Sequence, residues 1–171
     1  ILSKLFGGRG LMSKLMDSII KKATKLYKTI VLPEGEEPRV IEAARYITDN
    51  KIAKVILLGD REVIKSVRPD IATDDIEVIN PKNSDKFEIY SNTLFELRKA
   101  KGMTIEQAQS LVKNNNLFFG ALMLKLGEAD GMVGGAINST GNVLRAGLQV
   151  VKTAPGVSTV SSCFLMSFDN T

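Results

Sequence analysis

Short apolar runs alternate with amphipathic segments along the chain. In residues 11–26 apolar side chains recur every three or four positions while lysines occupy the opposite face, which predicts an amphipathic helix. Residues 29–32 (TIVL) are largely β-branched and stop at Pro33, which predicts a strand. The acidic residues that follow lead into a helix predicted over residues 38–50. The opening therefore predicts a helix and then a strand–loop–helix unit.

The alternation of strand and helix continues through the rest of the chain. Residues 54–58 (KVILL) predict a fully buried strand, and Thr104 with Gln107 three positions later predicts the capped start of a helix. The remaining predicted elements are helices at 61–66, 84–101, 104–114, 117–126 and 142–153, and strands at 76–79, 129–136 (ending in a glycine-rich turn) and 157–168. Because parallel neighbouring strands need crossover helices, the alternation predicts a three-layer α/β/α fold with a mostly parallel sheet.

The chain shows no internal repeat and no low-complexity linker, so we expect one structural unit without an internal boundary. Residues 1–11 are glycine-rich and lack an initiating Met, and we interpret them as an added or flexible lead to a domain that covers residues 12–171. The apolar strand predicted at the end is followed directly by turn residues. This ending suggests that the chain is cut short, although an ordinary C-terminal strand is the alternative.

The net charge and the residue types of the chain limit which ligands and catalytic groups are expected. The net charge is +4, but the charges are interspersed, so no nucleic-acid partner is indicated and anionic small molecules are mildly favoured. The chain has no histidine, which excludes Ser-His and Cys-His pairs and His-ligated zinc within it, and we expect no metal site. Cys163 is the single cysteine, so an intramolecular disulfide is excluded, and its apolar surroundings favour a buried inert thiol over a nucleophile.

The hydropathy of the chain argues against a membrane protein. No apolar run reaches the roughly 20 residues that a membrane-spanning helix needs, and the start of the chain lacks a convincing signal peptide. We therefore expect a soluble, cytoplasmic protein without a membrane partner.

The segment with the strongest chemical signal is residues 131–156, where a predicted buried strand leads through Gly134 and Gly135 into a helix. In open α/β sheets ligands bind beyond the carboxyl ends of strands, where helix N-termini favour anions. The two glycines would let a ligand approach the backbone, and the candidate anion-binding side chains that follow are Ser139, Thr140 and Arg145. The alternative is structural: the glycines make a turn, a hydroxyl caps the helix, and the arginine is solvated. The glycine spacing matches neither a dinucleotide-binding nor a Walker A fingerprint.

Two further clusters have simpler interpretations. Arg98 lies near the end of a predicted helix, where cations interact favourably with the helix dipole. The acidic residues Glu34, Glu36 and Glu37 precede a helix, where acidic side chains usually stabilise the N-terminus, although paired carboxylates are the functional alternative.

At these residues the sequence resembles the phosphate acetyltransferase family, which is related to the phosphate butyryltransferases. The likeness spans residues 11–171 and rests on four segments in the family's order: IVLPEGEEPRVIEAARYI, VILLGDREVI, FELRKAKGMTIEQA and KLGEADGMVGGAINSTGNVLRAGLQVVKTAPGV. It implies the N-terminal portion of a two-domain, isocitrate/isopropylmalate dehydrogenase-like enzyme of acetate metabolism that forms homodimers or larger homo-oligomers. It also implies reversible acetyl transfer between coenzyme A and phosphate, with acetyl-CoA and acetyl phosphate as the acetylated substrates and no metal or other cofactor.

The resemblance also assigns residues. Ser139, Thr140 and Arg145 match the family's anion-binding motif, Arg98 matches an arginine implicated in CoA or phosphate contacts, and Asn138 stands where the family commonly has histidine. Asn138 can still donate a hydrogen bond, so altered substrate contacts are expected there. The family's Asp base and Ser-Arg pair belong to a second half beyond this sequence. We therefore expect no catalytic residue within the chain and little activity from the chain alone.

Two alternatives to a phosphate acetyltransferase stay open. One is a phosphate butyryltransferase, which differs in an acyl pocket that the sequence does not reveal. The other is a non-catalytic regulatory or assembly domain of the kind appended to malic enzymes.

Overall fold

A computed structural model describes residues 14–69 and 75–162 of the protein, which form a sheet flanked by helices. The strands are β1 (Thr29–Leu32), β2 (Lys54–Leu58), β3 (Glu77–Ile79) and β4 (Gly131–Met132). The helices are α1 (Lys14–Leu26), α2 (Pro38–Asp49), α3 (Arg61–Val67), α4 (Phe87–Arg98), α5 (Ile105–Asn114), α6 (Asn116–Lys125) and α7 (Thr140–Ala146). Short 3-10 turns cover Pro81–Asn83 and Lys99–Lys101, and a π-helical turn, Gly147–Val151, continues α7.

The described strands form one parallel sheet in the order β3-β2-β1-β4. Val31 of β1 pairs with Ile56 of β2 on one side and with Met132 of β4 on the other. The chain therefore builds outward from β1 through β2 to β3 and then returns to the opposite side of β1. In open α/β sheets such a reversal of strand order opens a crevice at the carboxyl ends of the strands, which here lies between β1 and β4.

Alternate side chains of the strands pack into two separate apolar cores. Val31, Ile56 and Leu58 belong to a core completed by α4, α5, α6 and α7, whereas Leu32 and Leu57 belong to a second core completed by α2 and α3. Because successive residues of a strand point to opposite faces, the two cores lie on opposite sides of the sheet. The predicted three-layer α/β/α fold with a parallel sheet is confirmed.

The capped start predicted for α5 is also confirmed. The Thr104 hydroxyl accepts a hydrogen bond from the Gln107 amide at 3.3 Å, and the Gln107 side chain accepts one from the Thr104 amide at 3.0 Å. This reciprocal capping box satisfies two backbone donors that helix geometry leaves without an intrahelical partner.

Replacing Thr104 with alanine is expected to lower the free energy of unfolding by about 1 kcal/mol, the usual cost of losing an N-cap side chain. Thr104→Ser keeps the hydroxyl and should stay close to the wild type. Urea denaturation followed by circular dichroism measures both variants, and equal stability of the alanine and serine variants would contradict the capping role.

Several predicted boundaries differ from the observed ones near the end of the chain. The strand predicted at 129–136 is only two residues long, and the helix predicted at 142–153 begins at Thr140 and becomes π-helical at Gly147. The part of the predicted 157–168 strand that the structure describes is irregular and exposed, because residues 157–162 lie against no neighbouring strand within the described sheet. The remainder of that strand, Cys163 and the interpreted lead at 1–11 lie outside the described residues.

Among the described residues, no helix combines the length and the apolar character that crossing a membrane requires.

Candidate active-site edge at the carboxyl ends of the strands

Two loops meet at the crevice between β1 and β4. The β1 loop, residues 33–37, follows β1, and the glycine-rich loop, residues 133–139, follows β4. Asn116, the first residue of α6, donates from its side chain to the carbonyl oxygens of Pro33 at 2.9 Å and Leu58 at 3.2 Å. This side chain ties the carboxyl ends of β1 and β2 to a helix on one face of the sheet.

The carboxylate of Glu34 joins the two loops. Its Oε2 accepts hydrogen bonds from the backbone amides of Gly135 at 2.9 Å and Ala136 at 2.7 Å. Its Oε1 accepts from the amides of Ile137 at 3.0 Å and Asn138 at 2.7 Å, and from the Asn138 side chain at 2.9 Å. Glu34 is only 5% exposed, so five donors surround one buried carboxylate.

The hydrogen bonds decide the ionisation state of Glu34. Burial alone would raise the pKa of this carboxyl, but the bonds from the amides of Ile137, Asn138 and Ala136 and from the Asn138 side chain outweigh it and lower the pKa to about 2. Glu34 is therefore a carboxylate throughout the neutral range.

The glycine-rich loop points these amides toward Glu34 partly because of the backbone at Gly135. Gly135 adopts φ +113°, a conformation that residues with a side chain rarely reach.

The other acidic residues of the β1 loop have separate partners. Glu37 caps α2 by accepting from the amides of Arg39 and Val40, and its second oxygen accepts from Arg39 Nε at 2.7 Å. The Arg39 guanidinium also donates to the carbonyl of Ala136 at 3.0 Å, and Glu36 accepts from the Asp60 amide at 3.0 Å. The interpretation that these acidic residues serve a helix N-terminus holds for Glu37, whereas sequence reasoning missed the role of Glu34.

A cavity of about 440 Å³ lies between the two loops and the start of α6. Its polar lining comes from both loops and from the asparagines around the α5–α6 junction: Glu34, Glu36, Glu37, Asn114, Asn115, Asn116 and Asn138. A smaller cavity of about 230 Å³ adjoins it, sharing Glu36, Asn114 and Asn116, and is lined also by Lys82 and Lys113. The two cavities run along the carboxyl edge of β1, β2 and β3.

The structure brings some of the sequence-predicted site residues to this edge. Asn138 lines the larger cavity, while Ser139 caps α7 through its hydroxyl, which accepts from the Asn142 amide at 3.3 Å. Thr140 and Arg145 are exposed on α7 and line neither of the two cavities. Ser139, Thr140 and Arg145 therefore follow Asn138 closely in the sequence but do not share its cavity.

Arg98 lines neither of the two cavities. It is the last residue of α4, and its Nε is buried without a hydrogen-bond partner among the described residues. Its role, like those of Ser139, Thr140 and Arg145, stays a prediction. One expectation changes: the amides after Gly134, which we expected to face a ligand, donate instead to Glu34.

The fold and the loops at its carboxyl edge define an α/β protein with a ligand crevice at a reversal of strand order. Residues 14–171 match the family model described as phosphate acetyl/butaryl transferase. The chain is 51% identical over 155 residues to a phosphate acetyltransferase of Acetivibrio thermocellus and 44% identical over 156 residues to one of Thermoanaerobacterium thermosaccharolyticum. Each alignment covers 91% of this chain, with 46% and 47% of the respective relatives.

Two solved structures of phosphotransacetylases are also similar to this chain. The EutD phosphotransacetylase from Staphylococcus aureus superposes with a TM-score of 0.76 at 37% identity, over 84% of this chain and 45% of that one. A phosphotransacetylase from Streptococcus pyogenes superposes with a TM-score of 0.80 at 34% identity, over 86% and 46%. The chain belongs to the phosphate acetyl/butaryl transferase family, and it spans about half the length of these relatives.

Proposed function

We propose that this chain forms one wall of a site in which an acetyl group moves reversibly between the sulfur of coenzyme A and phosphate. Family membership supports this function, since the two relatives named above are phosphate acetyltransferases. The observation that carries the proposal is the glycine-rich loop, which Glu34 holds at the crevice between β1 and β4 and which leads directly into Asn138, Ser139 and Thr140.

The reaction sets clear demands on such a wall. The coenzyme A sulfur attacks the carbonyl carbon of acetyl phosphate, a base takes the thiol proton, a C–S bond forms, and the C–O bond to phosphate breaks so that inorganic phosphate leaves. Both substrates are anionic, and the leaving oxygen gains negative charge. The wall must therefore offer hydrogen-bond donors and cations held in fixed positions.

In the proposed site, side chains at the end of the glycine-rich loop and on α7 supply these donors and cations. The Arg145 guanidinium offers two parallel donors to a phosphate, and the Ser139 and Thr140 hydroxyls offer further donors. Asn138 keeps one side-chain N–H beyond the one that it donates to Glu34. Because Glu34 uses the loop amides, these side chains and not the backbone hold the phosphate in this proposal. Lys82 and Lys113 line the smaller cavity together with Glu36 and Asp60, and they are the cations that the two cavities offer to an anionic substrate.

Replacing Arg145 with alanine in the full-length protein is expected to lower kcat/KM for acetyl phosphate by about 10- to 100-fold, the range that follows from losing a hydrogen bond between charged groups. The rate of acetyl-CoA formation from acetyl phosphate and CoA, followed spectrophotometrically, measures the effect. Lys125→Ala, which removes an exposed cation from the last turn of α6, is the control and should leave the kinetics unchanged. Wild-type kinetics of the Arg145 variant with both substrates would return this arginine to a solvated surface residue.

The acyl-chain preference, the cofactor requirement, the oligomeric state and the location of the protein are part of the same proposal. The family description names both acetyl and butaryl transfer, so the acyl chain that the protein prefers is decided by competing acetyl phosphate against butyryl phosphate in the same assay. We expect coenzyme A to act as a substrate without a separate cofactor. Homo-oligomer formation and a cytoplasmic location are also proposed, and light scattering after size-exclusion chromatography tests the first of these.

A further inference from the structure

Four consecutive backbone amides, from Gly135 to Asn138, converge on a single carboxylate. Successive amides that point into one concavity form a nest, and nests in proteins bind anions such as phosphate. In this protein the anion in the nest is a side chain of the protein itself. It comes from the β1 loop, and no substrate group can enter the nest without expelling it.

We propose that Glu34 is a built-in anion that positions the glycine-rich loop for acyl transfer and directs the substrate phosphate away from the loop amides toward the side chains that follow. The direction of the substrate phosphate rests on the proposed function. Occupation of the nest by the Glu34 carboxylate does not depend on that function, and the experiment below tests the occupation and the function separately.

The charge of Glu34, and not only its volume, carries the positioning role. All five hydrogen bonds to this carboxylate come from N–H donors, and both of its oxygens accept at least two of them. The neighbouring charged groups are occupied elsewhere, because Glu36 accepts from Asp60 and Glu37 pairs with Arg39. A glutamine at position 34 would turn an NH2 group toward at least two amide donors, so it would fill the same space while repelling part of the nest.

The position of Asn138 links Glu34 to the predicted substrate contacts. Asn138 donates both its backbone amide and its side chain to Glu34, and it immediately precedes the Ser139 cap of α7. A carboxylate in the nest therefore holds the side chain of Asn138 and the entry to α7 in one geometry before a substrate arrives. Such preorganisation matters because small displacements of positioning groups cost large factors in rate.

The experiment compares Glu34→Gln, Glu34→Asp and Glu34→Ala in the full-length protein, with Glu42→Gln, at an exposed glutamate of α2, as the matched control. Acetyl transfer is assayed with sodium formate or with sodium chloride at equal ionic strength, because formate is a carboxylate small enough for the space that alanine leaves. We expect Glu34→Gln and Glu34→Ala to lose about tenfold or more in kcat/KM for acetyl phosphate. Formate should recover a measurable part of the loss in Glu34→Ala alone and should raise only that variant's thermal midpoint.

The outcomes are decisive in each arm. Wild-type kinetics in Glu34→Gln would overturn the positioning role, because that variant keeps the volume and removes the charge. A folded Glu34→Ala whose activity and thermal midpoint respond equally to formate and chloride would overturn the carboxylate nest. If Glu34→Ala fails to fold without formate, its folding with formate supports the nest and failure with both salts overturns it. If the full-length wild type transfers no acetyl group, the proposed function fails, and the thermal arm still tests occupation of the nest.

Discussion

Replacing Glu34 with glutamine is expected to remove about 2–4 kcal/mol from the free energy of unfolding at pH 7, the equivalent of its lowered pKa, and to flatten the decline of that free energy in acid. The pKa of Glu34 falls from 4.5 to about 2 in the folded protein because the donors of the glycine-rich loop outweigh the cost of burial. A pKa lowered on folding gives stability that is complete above the unfolded value and is lost as the pH falls toward the folded value. The contribution of Glu34 should therefore disappear between about pH 5 and pH 2.

Urea denaturation at a series of pH values from 7 to 2 measures this effect in the wild type, in Glu34→Gln and in the Glu42→Gln control. The pKa values of Asp75 and Asp130 are also lowered, by hydrogen bonds from Arg45 and Lys28 respectively, so part of the acid decline is common to all three proteins. The difference between wild type and Glu34→Gln isolates the buried carboxylate. A constant difference across this pH range would show that folding does not change the pKa of Glu34.

Replacing Gly35 with valine is expected to lower the free energy of unfolding by about 2–3 kcal/mol, the cost typical of forcing extra atoms into a packed site. A Cβ atom at this buried position would lie 2.7 Å from the carbonyl oxygen of Leu58 and 3.2 Å from the Cβ of Leu57. The backbone has little freedom to retreat, because the Gly35 amide donates to that same Leu58 oxygen at 3.1 Å. The preceding residue, Glu34, is also held by the glycine-rich loop.

The matched control is Gly147→Ala, at a right-handed helical position where an added Cβ meets no atom within 4 Å. This control should be neutral or slightly stabilising, since alanine restricts the unfolded chain more than glycine does. Calorimetry and urea denaturation compare the two variants with the wild type. Stability of Gly35→Val within about 0.5 kcal/mol of the wild type, the usual range for surface changes, would show that the contact between the β1 loop and β2 yields easily.

The local pattern of residues determines most of the secondary structure. The predicted strands at 29–32 and 54–58 match β1 and β2 to the residue, and Thr104 with Gln107 forms the predicted capping box. These features depend on side chains within one or two turns of each other, so their physical causes are visible in a short window of sequence. The motifs shared with phosphate acetyltransferases likewise lie in contiguous segments, which is why the family could be identified before any coordinates.

The candidate site depends on contacts that a sequence window does not contain. Glu34 and its donors are separated by 101 to 104 positions along the chain. In the sequence this glutamate resembles its neighbour Glu37, whose partners, the cap of α2 and Arg39, all lie within three residues of it. The sequence offered one signal for this contact, a glutamate just after β1 and a glycine pair just after β4. That signal predicts a contact only once the sheet order is known to place β4 beside β1.

The sequence by itself determined the alternation of strands and helices, the parallel three-layer class and the family, because periodicity, caps and motifs are local properties. Only the tertiary structure decided which strands are neighbours, how short β4 is, and that the amides of the glycine-rich loop bind a carboxylate of the protein. The physical reason is that buried donors must find acceptors. Which acceptor lies within reach depends on how distant segments pack.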